Sequence, residues 1–144
     1  MKNKLIFIIM LCLYIFFLTV GIYASTGVNS NGIGKLPYFQ RIVVCSNLIP
    51  FYDFGPTKSL IINFFMYMPL AILAPGIFDC LKAKKNYLIF IILFIIGVKL
   101  VQIITLKGYF DINDIIIGSF GSYLAYYITI ILTKIIPKQS KSII

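Results

Sequence analysis

The chain has 144 residues, 60% of them hydrophobic, with a mean hydropathy of +1.00. A water-soluble domain averages about 45–50% apolar residues, so a soluble globular fold is excluded. The net charge of +9 arises from 13 cations and 4 acids, with no His, but the cations follow the apolar runs rather than clustering, and no nucleic-acid partner is expected.

Four apolar stretches reach the length of about 20 residues that a bilayer-crossing helix needs. They are Leu5–Ala24, Ser59–Phe78, Tyr87–Leu106 and Ile115–Thr133. Together they fill more than half the chain, so the expected fold is an all-α integral membrane protein. It is a single domain over residues 1–144, with four transmembrane helices in one bundle. Eight Lys residues (2, 4, 82, 84, 85, 134, 138 and 141) fall on one side of this arrangement. Lys35, Arg41, Lys58 and Lys107 fall on the other, and Lys99 lies inside the third span. The positive-inside rule then places both termini in the cytoplasm and the segment between the first two spans outside.

The first span is apolar all round and reads as a retained anchor. Its apolar run exceeds the 7–15 residues typical of a signal-peptide core, and no small-x-small site follows it. The outer segment 25–58 begins turn-rich and then becomes amphiphilic. Tyr38, Phe39, Arg41, Asn47, Pro50, Phe51, Tyr52 and Phe54 stand in this second half, which is expected on the membrane surface or folded into the mouth of the bundle. The second span carries Asn63 and Tyr67 on one face, and Pro69 is expected to kink it.

The polar residues of the last two spans are the candidate site. Lys99 and Gln102, then Asp111 and Asp114, each have i,i+3 spacing and so share a helix face. An ionisable group at bilayer depth costs about 2.5–3.5 kcal/mol on insertion scales and needs a partner or a task. Lys99 can snorkel or pair with an Asp. One Asp is expected to cap the fourth span. Asp111, Asp114, Gly118, Gly121 or Ser122, and Ala125 recur at three- and four-residue steps, so the acids share the small-residue packing face. Cys12, Cys45 and Cys80 have neither metal-ligand nor disulfide spacing, and no metal or cofactor is expected.

The order Asn47-Leu-Ile-Pro50-Phe51, Asn63 with Pro69, Gln102, and Asp111-Ile-Asn-Asp114 with Gly121 resembles the VanZ-like family over about residues 36–130. The resemblance implies a small multi-span protein of the bacterial cytoplasmic membrane. It implies a family whose founding member is associated with low-level resistance to the glycopeptide teicoplanin, and which has no established enzymatic reaction. Lysine-rich usage with heavy Ile and Asn fits an AT-rich bacterial genome. This chain departs from the family pattern. Lys99 stands where Glu is usual, Gly108 where Arg is common, Gly118 where Asn is usual, and Ala71 and Ala125 where Gly is common.

The expected function is non-enzymatic: binding a membrane lipid, a cell-wall precursor or a glycopeptide at the outer face, with an effect on drug sensitivity. The alternatives are a transport or assembly component and, less favoured, a metal-dependent intramembrane enzyme using Asp111 and Asp114 on a lipid phosphate. Oligomeric state is open.

Overall fold

A computed structural model describes residues 2–24, 35–51 and 57–135 of the chain. The expectations for the turn-rich start of the outer segment, for Tyr52, Asp53 and Phe54, and for Lys138 and Lys141 lie outside the described residues.

Helix α1 runs Lys2–Ala24 and the short α2 runs Tyr38–Val44. Then come β1 (Ser46–Asn47), α3 (Thr57–Met66), α4 (Leu70–Ile77), a 3-10 turn (Asp79–Lys82) and α5 (Lys84–Ile104). The chain finishes with β2 (Phe110–Asp111) and α6 (Ile112–Ile135). Among the described residues, four stretches are long and apolar enough to cross a membrane: Lys4–Gly21, Ser59–Ile77, Lys84–Ile104 and Ile112–Lys134. The third begins three residues earlier than its sequence pattern, because Lys84 and Lys85 extend the helix into its polar end. The fourth begins at Ile112 because Asp111 supplies its cap.

Pro69 interrupts the second span as expected. It has no N–H, so the α-helical ladder gives way over Tyr67–Pro69 to a turn of i→i+3 bonds that joins α3 to α4. In lipid the freed carbonyls must be satisfied by the protein itself. Tyr14 of α1 donates to the Met66 carbonyl at 2.9 Å, and Ser122 of α6 donates to the Tyr67 carbonyl at 2.9 Å. The Ser122 hydroxyl is also 2.7 Å from the Tyr87 hydroxyl of α5. Neighbouring helices thus meet at the break, among the buried core residues Tyr67, Leu70, Tyr87, Ile91 and Ile95.

Helix α5 turns one stripe inward. Tyr87, Ile91, Ile95, Lys99 and Ile103 are its buried residues, spaced by four. Helix α6 packs on both α3 and α5. Its small residues let the backbones approach closely. A Cβ at Gly121 would overlap the Phe64 carbonyl oxygen of α3, and one at Gly118 would lie 2.8 Å from the Tyr67 ring.

The bundle has two different ends. At the basic end, Asp79 accepts hydrogen bonds from Lys82 at 2.5 Å and Lys4 at 3.1 Å, bringing the start of α1 beside the 79–82 turn. Lys82 first, then Lys4, hold its carboxyl below the usual aspartate range. Tyr126 of α6 donates to the Lys82 carbonyl at 2.6 Å, and Lys84 sits over the Tyr127 ring, 4.4 Å from its centre. At the opposite, capped end, β1 and β2 form a short parallel bridge with Ser46 opposite Phe110 and Asn47 opposite Asp111.

Replacing Gly121 by Ala is expected to destabilise the protein by about 1–3 kcal/mol, the usual range for overpacking. A Cβ at Gly97, on the same bundle, meets nothing within 4 Å. Gly97→Ala is therefore expected to leave stability unchanged or raised by up to about 1 kcal/mol through helix propensity. Thermal unfolding in detergent, read by loss of the monodisperse peak, separates the two; equal behaviour contradicts the close α3–α6 approach.

Candidate functional site at the capped end

Two layers of polar residues lie at the capped end. The deeper joins α5 to α6. Lys99 Nζ donates to Asp114 Oδ2 at 2.5 Å, with the two residues 5% and 8% exposed. Asp114 lies in the first turn of α6, where the helix dipole favours a negative charge. Lys99 therefore does not snorkel. It occupies the inward stripe and is neutralised there. One turn further along α6, Gly118 lies against the ring of Tyr67.

The upper layer is built on Asp111. Its Oδ1 accepts the Asn113 backbone N–H at 2.9 Å, an N-cap of α6. The same oxygen accepts from the Asn47 side-chain amide at 3.4 Å, which ties β1 to the helix start. Asn47 Oδ1 in turn accepts the Ile49 N–H at 3.3 Å. Asn113 is wholly buried, and its Oδ1 accepts the Phe51 N–H at 2.9 Å. Phe51 has φ 61°, the left-handed region, while its ring stays exposed.

Beside this layer α5 ends in a Schellman motif. The Lys107 N–H reaches the Gln102 carbonyl at 2.9 Å and the Leu106 N–H reaches the Ile103 carbonyl at 3.1 Å. Leu106 stands at the position that usually takes glycine, at φ 52°. Gly108 then folds back against the Gln102 side chain, whose Oε1 is buried without a hydrogen-bond partner. Tyr38 of α2 donates to the Ile104 carbonyl at 2.7 Å, closing α2 over the end of α5. Arg41 Nε donates to the Leu36 carbonyl at 2.7 Å and holds the start of α2. Cys45 is buried with Ile42, Ile103 and Phe110, and that burial pushes its thiol pKa up.

The sequence-derived candidates thus separate. Lys99 meets Asp114, and Asn47 meets Asp111. Gln102 belongs to the turn at Gly108, and Asn63 donates within α3 to Ser59 Oγ at 3.5 Å. Pro50 adjoins Phe51 in the exposed turn, and Pro69 marks the break in the second span. Sequence reasoning passed over Asn113 and the hydroxyl of Ser122. A buried amide flanked by two aspartates in an apolar run is itself a signal, since lipid offers it no partner.

Each described carboxylate has a defined partner. Asp79 binds two lysines, Asp114 binds Lys99, and Asp111 caps α6. No group of three or more His, Cys, Asp or Glu able to hold a metal forms among the described residues. The arrangement positions a cap and displays it.

The sequence model of the VanZ/LLP1 family matches residues 5–133. No curated protein and no solved structure matches the chain.

Removing one partner of a buried ion pair costs about 3–5 kcal/mol, because the other charge is left unpaired. Lys99→Met and Asp114→Asn are each expected to destabilise on that scale. The double variant is expected to recover most of the loss. Thermal unfolding of the four proteins in a double-mutant cycle checks this, and additive effects would contradict the pair.

Proposed function

The chain belongs to the VanZ/LLP1 family of multi-span membrane proteins, and from the geometry of its capped end we propose a non-enzymatic role in the envelope. It resides in the bacterial cytoplasmic membrane with the basic end inside and the cap outside. There the cap engages a lipid headgroup, a wall precursor or a glycopeptide and alters sensitivity to envelope-targeting drugs.

The observation that carries this reading is the display of Phe51. A non-glycine residue in the left-handed region costs about 1–2 kcal/mol. Such strain survives only where surrounding structure enforces it, and it concentrates at functional sites. Here a wholly buried amide, Asn113, fixes the Phe51 backbone while the residue remains 60% exposed. The only other non-glycine residue with positive φ among the described residues, Leu106, lies at the same end. The lysines support the membrane orientation. Lys4, Lys82, Lys84, Lys85 and Lys134 gather at the end opposite the cap.

A transport role draws on one observation, the ion pair at depth in α5 and α6. Ion or substrate flux in proteoliposomes that Lys99→Met abolishes would favour it.

Deletion and overexpression in the host, scored against glycopeptides and other wall-targeting drugs, test the proposal. Overexpression of the native chain is expected to raise the inhibitory concentration of at least one glycopeptide. Phe51→Ala is expected to remove that gain with the protein still present in the membrane. A panel unmoved by deletion and overexpression contradicts the reading.

A further inference from the structure

We propose that the cap formed by α2 and residues 46–51 is seated in the membrane interface, with the lipid leaflet at the capped end as its occupant, rather than standing in water as a lid.

Three observations carry this. First, α2 is apolar on two faces. Ile42 packs inward with Cys45 and Ile103. Phe39 and Val43, one turn apart on the outward side, are 79% and 73% exposed. Val44, Leu48, Ile49 and Phe51, which follow in the same segment, are each more than half exposed as well. A patch of this kind on a surface is an interaction site. Second, it is continuous with the lipid-facing flank of the bundle. The bond from Tyr38 to the Ile104 carbonyl seats α2 on the end of α5, where Ile104 and Val101 are exposed within a membrane-crossing helix. Third, the charge is one-signed. Residues 35–51 contain Lys35 and Arg41 and no acid, the composition of a segment beside phosphate headgroups.

The other end of the molecule behaves differently. The turn there exposes Asp79, Lys82, Lys84, Lys85 and Asn86, as a water-facing connection does. Phe78 is the exposed large hydrophobic of that turn, whereas residues 38–51 expose Tyr38, Phe39, Val43, Val44, Leu48, Ile49 and Phe51 outside the membrane-crossing helices. A short segment with aromatic and aliphatic side chains on its outer face lies in the headgroup–acyl boundary, about 5–10 Å deep. In that position Phe51, the displayed ring, faces the lipid phase.

The chain contains no Trp, so a single introduced indole reports its own surroundings. Phe39→Trp and Val43→Trp are made separately, with Leu93→Trp on the exposed flank of α5 as the lipid reference. Each protein is reconstituted into phosphatidylcholine vesicles with or without lipid brominated near the headgroup end of the acyl chain. Both cap variants are expected to emit to the blue of free tryptophanamide in water. They are expected to lose intensity to brominated lipid as the reference does, and to resist soluble iodide. Iodide quenching with no effect of brominated lipid means the cap stands in water and overturns the proposal. Blue-shifted emission quenched by neither means protein covers the patch, and overturns it equally. The readout is independent of any drug phenotype, so its outcome and that of the proposed function are separable.

Discussion

Backbone groups that leave a helix inside a bilayer have no water to turn to, and this constraint organises the whole bundle. Pro69 opens the ladder between α3 and α4. The carbonyls released there are met from two directions, by Tyr14 of α1 and Ser122 of α6. The hydroxyl of Ser122 can meet Tyr67 only if α6 lies close to α3, and Gly118 and Gly121 make that approach possible. The proline, the glycines and the hydroxyls form one solution to one problem. Losing the Tyr14 hydroxyl takes that donor from the Met66 carbonyl, and a side chain at Gly121 drives two backbones into collision.

The same logic explains how Lys99 is tolerated at depth. It occupies a place in the stripe Tyr87, Ile91, Ile95, Lys99, Ile103 that would otherwise be apolar. Asp114 supplies the counter-ion from the first turn of α6, where the helix dipole favours its charge. The family pattern usually carries an acid where Lys99 stands. In this chain the reversal is accommodated by neutralising one of the two aspartates, which leaves Asp111 free of that duty and able to cap the helix. A buried pair of this kind is weak evidence for stability in itself, but it fixes the relative register of α5 and α6.

Much of this was legible in the residues and some was not. The spans and the shared face of Asp114, Gly118 and Gly121 follow from hydropathy and periodicity, and the interruption at Pro69 follows from its missing N–H. The division of labour between Asp111 and Asp114 was foreseeable only as one cap among two acids. Which acid caps depends on the first residue of α6, and hydropathy alone does not fix that residue. Asn113 was hidden for another reason. Its partner is the backbone of Phe51, 62 positions away, and no local spacing records a bond between a side chain and a distant amide. The parallel bridge of β1 and β2 is equally non-local and too short to leave a strand pattern. The grouping of Gln102 and Asn63 with the charges failed for a geometric reason. Residues at similar depth on different helices need not face each other, and Gln102 turns toward Gly108 while Asn63 bonds within α3.

The two strained residues give the capped end its character. Leu106 closes α5 where glycine would do so without strain, and Phe51 is held in the same backbone region by Asn113. Strain of this kind persists when the surroundings over-determine the conformation. Here they do, because each residue lies between anchored neighbours. Leu106 sits between the α5 terminus and the β2 bridge, and Phe51 follows the Asn47–Asp111 contact. Asp111 is the common point: it caps α6, binds Asn47 and adjoins the amide that holds Phe51. The start of α6 therefore couples the membrane core to the cap. A perturbation of the Lys99–Asp114 pair, one turn below Asp111, would be felt at Phe51 through that shared helix start. This links the buried layer to the displayed one without requiring the buried charges to touch any ligand.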